Sequence, residues 1–195
     1  MTLISARSRQ RGLGLVEMLV ALSITAALLT AAAVAIDASL KAYSVNQTQA
    51  DTLHRARIAL HRISTLIRTG SDHQPVSSDT KDAFAQGQTV TDSGIELIDP
   101  QGNVLQFRFD SDHQRLLFVD NGQTYTLLKN VVRFQLRMTP SRSAISIKTG
   151  GGFDRLSRAT LLLTLRPDIP VGHIDSNESE QSWTLSTSVT PRIGE

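Results

Sequence analysis

The sequence predicts an α+β protein in which a long N-terminal helix, transmembrane and then amphipathic, packs on an antiparallel β-sheet. Three observations carry that prediction. Met18 to Ile36 is a run of nineteen residues without a charge. Leu53, Ala56, Leu60, Ile63 and Ile67 then recur at spacings of three and four, the period of one helix face. From Ile95 onward the period changes to two, and turn residues interrupt the pattern every several positions.

With Leu13 to Val16 added, the apolar run can cross about 30 Å of hydrocarbon at about 1.5 Å per residue. It exceeds the apolar region of about 7 to 15 residues in a secretory signal peptide. Ala, Leu and Met favour the helix, and no Pro occurs before Pro75. The helix is therefore expected to run on from Gly14 to about Thr69, where Gly70-Ser71-Asp72 stops it.

The expected organisation is a leader at 1–12, a membrane helix at 13–36 and the amphipathic half of the same helix at 37–70. A polar connection at 71–92 follows, with one weak helical stretch at Asp79 to Ala85, and 93–195 form a β domain. Strands are expected around Ile95 and Leu97, at Val104–Phe109, Arg115–Val119, Thr124–Leu128, Val131–Met138, Ala144–Lys148, Ala159–Arg166 and Trp183–Thr190. Asn121-Gly122 marks a tight hairpin. Residues 167 to 182 read as an exposed acidic loop.

Of the 195 residues, enough lie beyond the apolar run to form one domain with a real core. The formal charge is +2, and without Arg7, Arg9 and Arg11 the balance is 17 basic against 18 acidic residues. That near neutrality argues against a nucleic-acid partner. The same three arginines, set against Lys41 alone soon after the run, place the N-terminus in the cytoplasm and the β domain outside the inner membrane. The chain has no cysteine, which removes disulfides and thiol chemistry.

Glu17 interrupts the apolar stretch. A carboxylate in hydrocarbon costs about 2.5 to 3.5 kcal/mol on insertion scales, so it calls for a partner or a task. If the chain is cut after Gly12, the new amine on Leu13 lies roughly 6 Å away along the helix axis. Arg7, Arg9 and Arg11 in the leader, Gly12, Leu13, Leu15, Val16 and Glu17 resemble the cleavage and methylation signal of type IV prepilins and type II secretion pseudopilins. Leu13 and Gly14 stand where Phe and Thr are usual in that family. The resemblance implies a pilin-like fold and cleavage between Gly12 and Leu13 by a membrane prepilin peptidase and methyltransferase. It further implies N-methylation of Leu13 and assembly with other subunits through Glu17, with an inner-membrane assembly platform and membrane lipid as further partners. The strand order around Leu127–Phe134 and Arg158–Arg166 is similar to the J-class minor pseudopilins and W-type minor pilins. The rival expectation is a monomeric, signal-anchored receptor or adhesin.

Enzymatic signals are poor, and neither a cofactor nor a metal is expected. His54 and His61 are seven residues apart on the helix, about 10 Å along its axis, too far to share one metal. Asp110, Asp112 and Asp120 flank turns without the Gly and terminal Glu of a calcium loop. Gly150-Gly151-Gly152 lacks the Lys of a phosphate loop. Arg133, Arg137, Arg142 and Lys148 could form a basic strip, but the alternation from Arg133 to Arg137 reads as the solvent face of a half-buried strand.

Overall fold

A computed structural model describes residues 14–167 and 182–192. The chain divides into two compact units, one through Val45 and one from Asn46. The first, where described, is helical: α1 begins at Leu15 and continues without interruption to Thr69 in the second unit. Its most apolar eighteen-residue window has a mean hydropathy of 2.4, and none of that window is buried. The hydroxyls within the run stay satisfied inside the helix. Ser23 donates to Val20 O, Thr25 to Ala21 O and Thr30 to Ala26 O at 2.7–2.9 Å, as a segment without water requires.

In the second unit α1 turns one stripe inward. Ala56, Ala59, Leu60, Ile63 and Ile67 are buried, while His54 and His61 are exposed. The helix ends with its carbonyls matched, as a buried terminus must. Leu66 O accepts from the Gly70 amide at 2.8 Å, Ile67 O from the His73 ring at 2.8 Å, and Arg68 O from the Arg192 amide at 2.9 Å.

Residues 71–92, expected as a polar connection, are instead ordered secondary structure. They form β1 (Ser71–Pro75), α2 (Ser78–Ala85) and β2 (Val90–Asp92). The remaining elements are β3 (Gly94–Ile98), β4 (Val104–Asp110), β5 (Arg115–Asp120), β6 (Gln123–Leu128), β7 (Val131–Ser141), α3 (Ala144–Thr149), β8 (Arg155–Leu165) and β9 (Trp183–Val189). The strands form two antiparallel sheets rather than one, in the orders β1-β3-β4-β5-β6 and β2-β7-β8-β9. Asn121 and Gly122 take φ of 47° and 83°, the left-handed pair that a two-residue hairpin between β5 and β6 demands.

The inner faces of both sheets and the α1 stripe share one hydrophobic core. Ile63 and Ile67 from α1, Ile95, Leu97, Phe107 and Leu116 from the first sheet, and Phe134, Leu136, Leu161 and Leu163 from the second are all essentially inaccessible. On β7 the intervening Arg133 and Arg137 are exposed, which places them on the solvent face that the alternation predicts. Ala144–Lys148, expected as a strand, is α3. Ser143 Oγ accepts from the Ser146 amide, and Gly150 closes the helix at φ 72°, so the Ile-Ser-Ile alternation sits on little more than one helical turn.

Candidate functional site

Among the described residues of the apolar run, the one charged side chain lies at the start of α1. Gly14 precedes the first helical residue and its carbonyl accepts from the Met18 amide at 3.1 Å. Three residues on, Glu17 curls back so that Oε2 accepts the Gly14 amide at 3.0 Å. This is the acidic half of a capping box, and it sets a negative charge where the helix dipole is positive. Between Leu15 and Ile36 no other charged side chain occurs, and the next one, Asp37, pairs with Lys41 at 2.7 Å. Gly12, Leu13, Arg7, Arg9 and Arg11 lie outside the described residues. The acidic loop expected at 167–182 lies almost wholly outside them as well, at 168–181.

The second unit has polar sites that sequence reasoning missed. Asp92 is 4% exposed and accepts from the amides of Ser77 and Gly94 at 3.0 Å and from the Thr80 hydroxyl, so it ties the start of α2 to the β2–β3 corner. His73 is 5% exposed, and because Ile67 O can only accept, the ring donates through Nε2. Burial holds its pKa below the ordinary 6.5, against the Ile67 hydrogen bond and the Asp72 charge, which both raise it. Asp154 accepts from the Ser143 hydroxyl at 2.6 Å and its amide at 2.7 Å, and those two bonds hold its carboxyl below the usual range. No sequence pattern announces any of the three; apart from Gly94, the partners lie six to fifteen residues away in the chain.

His73, Lys81, Asp82, Phe84, Phe153 and Asp154 line a cleft of about 340 Å³. Two of its titratable groups are engaged structurally, His73 by the end of α1 and Asp154 by the start of α3. At the turn after β4, Asp110 accepts from the His113 amide at 3.2 Å and lies 2.8 Å from its Nδ1, so Asp110 serves the turn. Among the described residues no three His, Cys, Asp or Glu side chains converge as metal ligands would.

No curated protein and no solved structure matches the chain. The family description "prokaryotic N-terminal methylation motif" matches residues 7–33. The matched stretch contains the leader arginines, Gly12, Leu13, Glu17 and most of the apolar run. Such motifs mark structural subunits that a prepilin peptidase processes and that assemble with other pilins, and together with the apolar helix they point to membrane anchoring. Residues 7–33 are thus a type IV prepilin-like signal, carried by an α+β chain whose long helix begins inside it.

Proposed function

We propose that the chain is a minor pilin- or pseudopilin-like subunit, and that building a filament, rather than catalysing a reaction, is its function. The peptide bond between Gly12 and Leu13 is hydrolysed on the cytoplasmic side, and the Leu13 amine is methylated. The C-terminal domain lies outside the inner membrane. The helix then passes from lipid into a bundle of like helices on an assembly platform, in a type IV pilus or a type II secretion pseudopilus.

The observation that carries this reading is the coincidence, within the methylation motif, of Gly12 with Glu17, the one charge in the run. Inside an apolar bundle an unpaired carboxylate is expensive, and the amine freed by cleavage is the cation that the processing itself supplies. The minor role draws on the resemblance of the stretches around Leu127–Phe134 and Arg158–Arg166 to the J-class minor pseudopilins.

Mass spectrometry of the chain purified from its own cells tests the reading. A methylated N-terminus at Leu13, with the chain co-sedimenting with filaments, is the expected result. A mature protein that begins at Met1 leaves a signal-anchored domain in its place, and Gly12→Asp is expected to produce that unprocessed form.

A further inference from the structure

Among the described residues of the second unit, the two most exposed large apolar side chains are Ile145 and Ile147, at 74% and 64%. Both belong to α3, and the chain around them is pinned. The Asp154 carboxylate accepts from the Ser143 amide and hydroxyl, Ser143 Oγ accepts from the Ser146 amide, and Ser146 Oγ donates to Gly152 O. The Phe153 amide bonds Ala85 O at 3.1 Å, and the Arg142 guanidinium lies 4.7 Å above the Phe153 ring. With Ser146 buried between them, the two isoleucines stand out on either flank of a fixed ridge. An apolar anchor held in place before contact gives up little conformational freedom on binding, as interface hot spots do. Exposed Arg142 and Lys148 edge the ridge, and no carboxylate occurs from 140 to 153.

Such a ridge is complemented by an apolar hollow with an acidic rim, and the same chain carries one. The cleft of about 340 Å³ has Phe84, Ala85 and Phe153 in its wall, with Asp72, Asp82 and Asp154 set against Lys81 alone. Lys81 is itself 3.9 Å from the Glu96 carboxylate. The crevice beside β6 sets Arg55 and Lys129 against Asp51, which pairs with Arg55 at 2.8 Å. The crevice at the start of β8 sets Arg155 and Arg192 against Asp72 and Asp154. Neither gives a cationic ridge a net negative surface.

Residues 168–181 of the same chain cannot cover the ridge. They leave from the end of β8, whereas α3 precedes its start, about 33 Å away at roughly 3.3 Å per residue. Extended, they span about 50 Å at most, short of the distance there and back. Ridge and cleft are neighbours, since Phe153 and Asp154 hold α3 and also line the cleft. A two-fold axis beside them therefore seats each copy's ridge in the other's cleft at once, a self-complementary contact that closes at two.

We propose that the cleft of about 340 Å³ is the docking site for α3 of a second copy of this chain. An isoleucine of one copy enters the cleft of the other against Ala85 and Phe153, and Lys148 and Arg142 face Asp82 and Asp72. The pairing does not depend on cleavage after Gly12, so it goes beyond the filament-subunit reading and stands whether the mature chain starts at Met1 or at Leu13.

The chain has no cysteine, so introduced ones report the contact without background. Full-length chains carrying Ile145→Cys with one tag and Ala85→Cys with another are made together in the protein's own cells, and the membranes are treated with a short bismaleimide. A product bearing both tags is expected. Asp82→Lys in both chains should lower its yield at least fivefold, and Lys148→Glu added to both should restore it, a rescue that a folding defect would not permit. No doubly tagged product, a product joining Ile145→Cys only to a different protein, a yield that Asp82→Lys leaves unchanged, or a loss that Lys148→Glu does not repair would each overturn the pairing.

Discussion

Glu17 and Gly14 are joined by a 3.0 Å hydrogen bond from the Gly14 amide to Oε2 of the Glu17 carboxylate, within the first turn of α1. The lone acid of the apolar run is thus engaged before any neighbour arrives, by its own helix terminus. On the filament-subunit reading proposed above, assembly exchanges or supplements this bond with a contact to the amine of another chain.

Two substitutions separate those roles. Glu17→Gln keeps an oxygen for the Gly14 amide and removes the charge, whereas Glu17→Val removes both. Loss of an N-terminal cap costs about 0.5–2 kcal/mol, so only the Val form should show a frayed helix start by amide exchange in detergent micelles. Both variants should be cut after Gly12, and both should be missing from sheared filaments. Normal incorporation of the Gln form would show that the amide contact, and not charge pairing, is what assembly uses.

Asp92 predicts a different kind of loss. Its carboxylate receives two backbone amides and one hydroxyl in a site 4% exposed, so Asp92→Ala leaves the Ser77 and Gly94 amides without their acceptor. The buried Gly94 amide left unmatched costs about 1–3 kcal/mol, and the Ser77 amide, on an exposed residue, costs less because water can reach it. Asp92→Asn retains one acceptor oxygen and turns an amino group toward donors, so it should lie between the wild type and Ala. Urea unfolding of the detergent-solubilised chain measures the order; an Asn variant as stable as the wild type would mean that one oxygen suffices.

These residues mark the limit of what sequence alone could give. The long helix was legible because its signals are local and repeated: an uncharged run, then Leu53 to Ile67 at helical spacing, then Gly70. The Asn121-Gly122 hairpin was legible because its backbone needs residues that tolerate positive φ. β1 and β2 were missed because Ser71–Pro75 and Val90–Asp92 are short and polar, and become strands only by pairing with β3 and β7. α3 was misread although Ser143 and Gly150 are proper helix caps, because alternating isoleucines over a few residues fit a strand equally well. At the helix start the Gly14-Leu15-Val16-Glu17 spacing is that of a capping box, but the same carboxylate in an apolar run equally suits an intermolecular ion pair, so the sequence pattern does not single out the local bond.

Gly94 offers a packing test. A Cβ added there would stand 2.5 Å from the Phe107 carbonyl oxygen and 2.8 Å from Cγ2 of Val76. The first neighbour is backbone, held in the β3–β4 ladder by the pairing of Ile95 with Phe107, so it cannot rotate away. Gly94→Ala should therefore destabilise the domain by roughly 1–3 kcal/mol, the usual range for overpacking. A midpoint shifted by less than the scatter between wild-type preparations would show that the two strands can part without loss.

His73 gives the domain a pH response with a defined sign. Burial holds the folded imidazole below its ordinary value of 6.5, so between the folded pKa and 6.5 the unfolded chain binds the proton more readily. Stability is complete above 6.5 and declines as pH falls through the folded pKa. The groups lining its cleft include Asp72, Lys81, Asp82 and Asp154; Asp154 is held below the ordinary 3.8, so its own contribution disappears only at more acid pH. His73→Gln can still offer an N–H to Ile67 O but cannot titrate. Urea midpoints measured on either side of 6.5 should therefore fall for the wild type and stay level for the Gln variant, and an equal fall in both would assign the acid sensitivity to some other group.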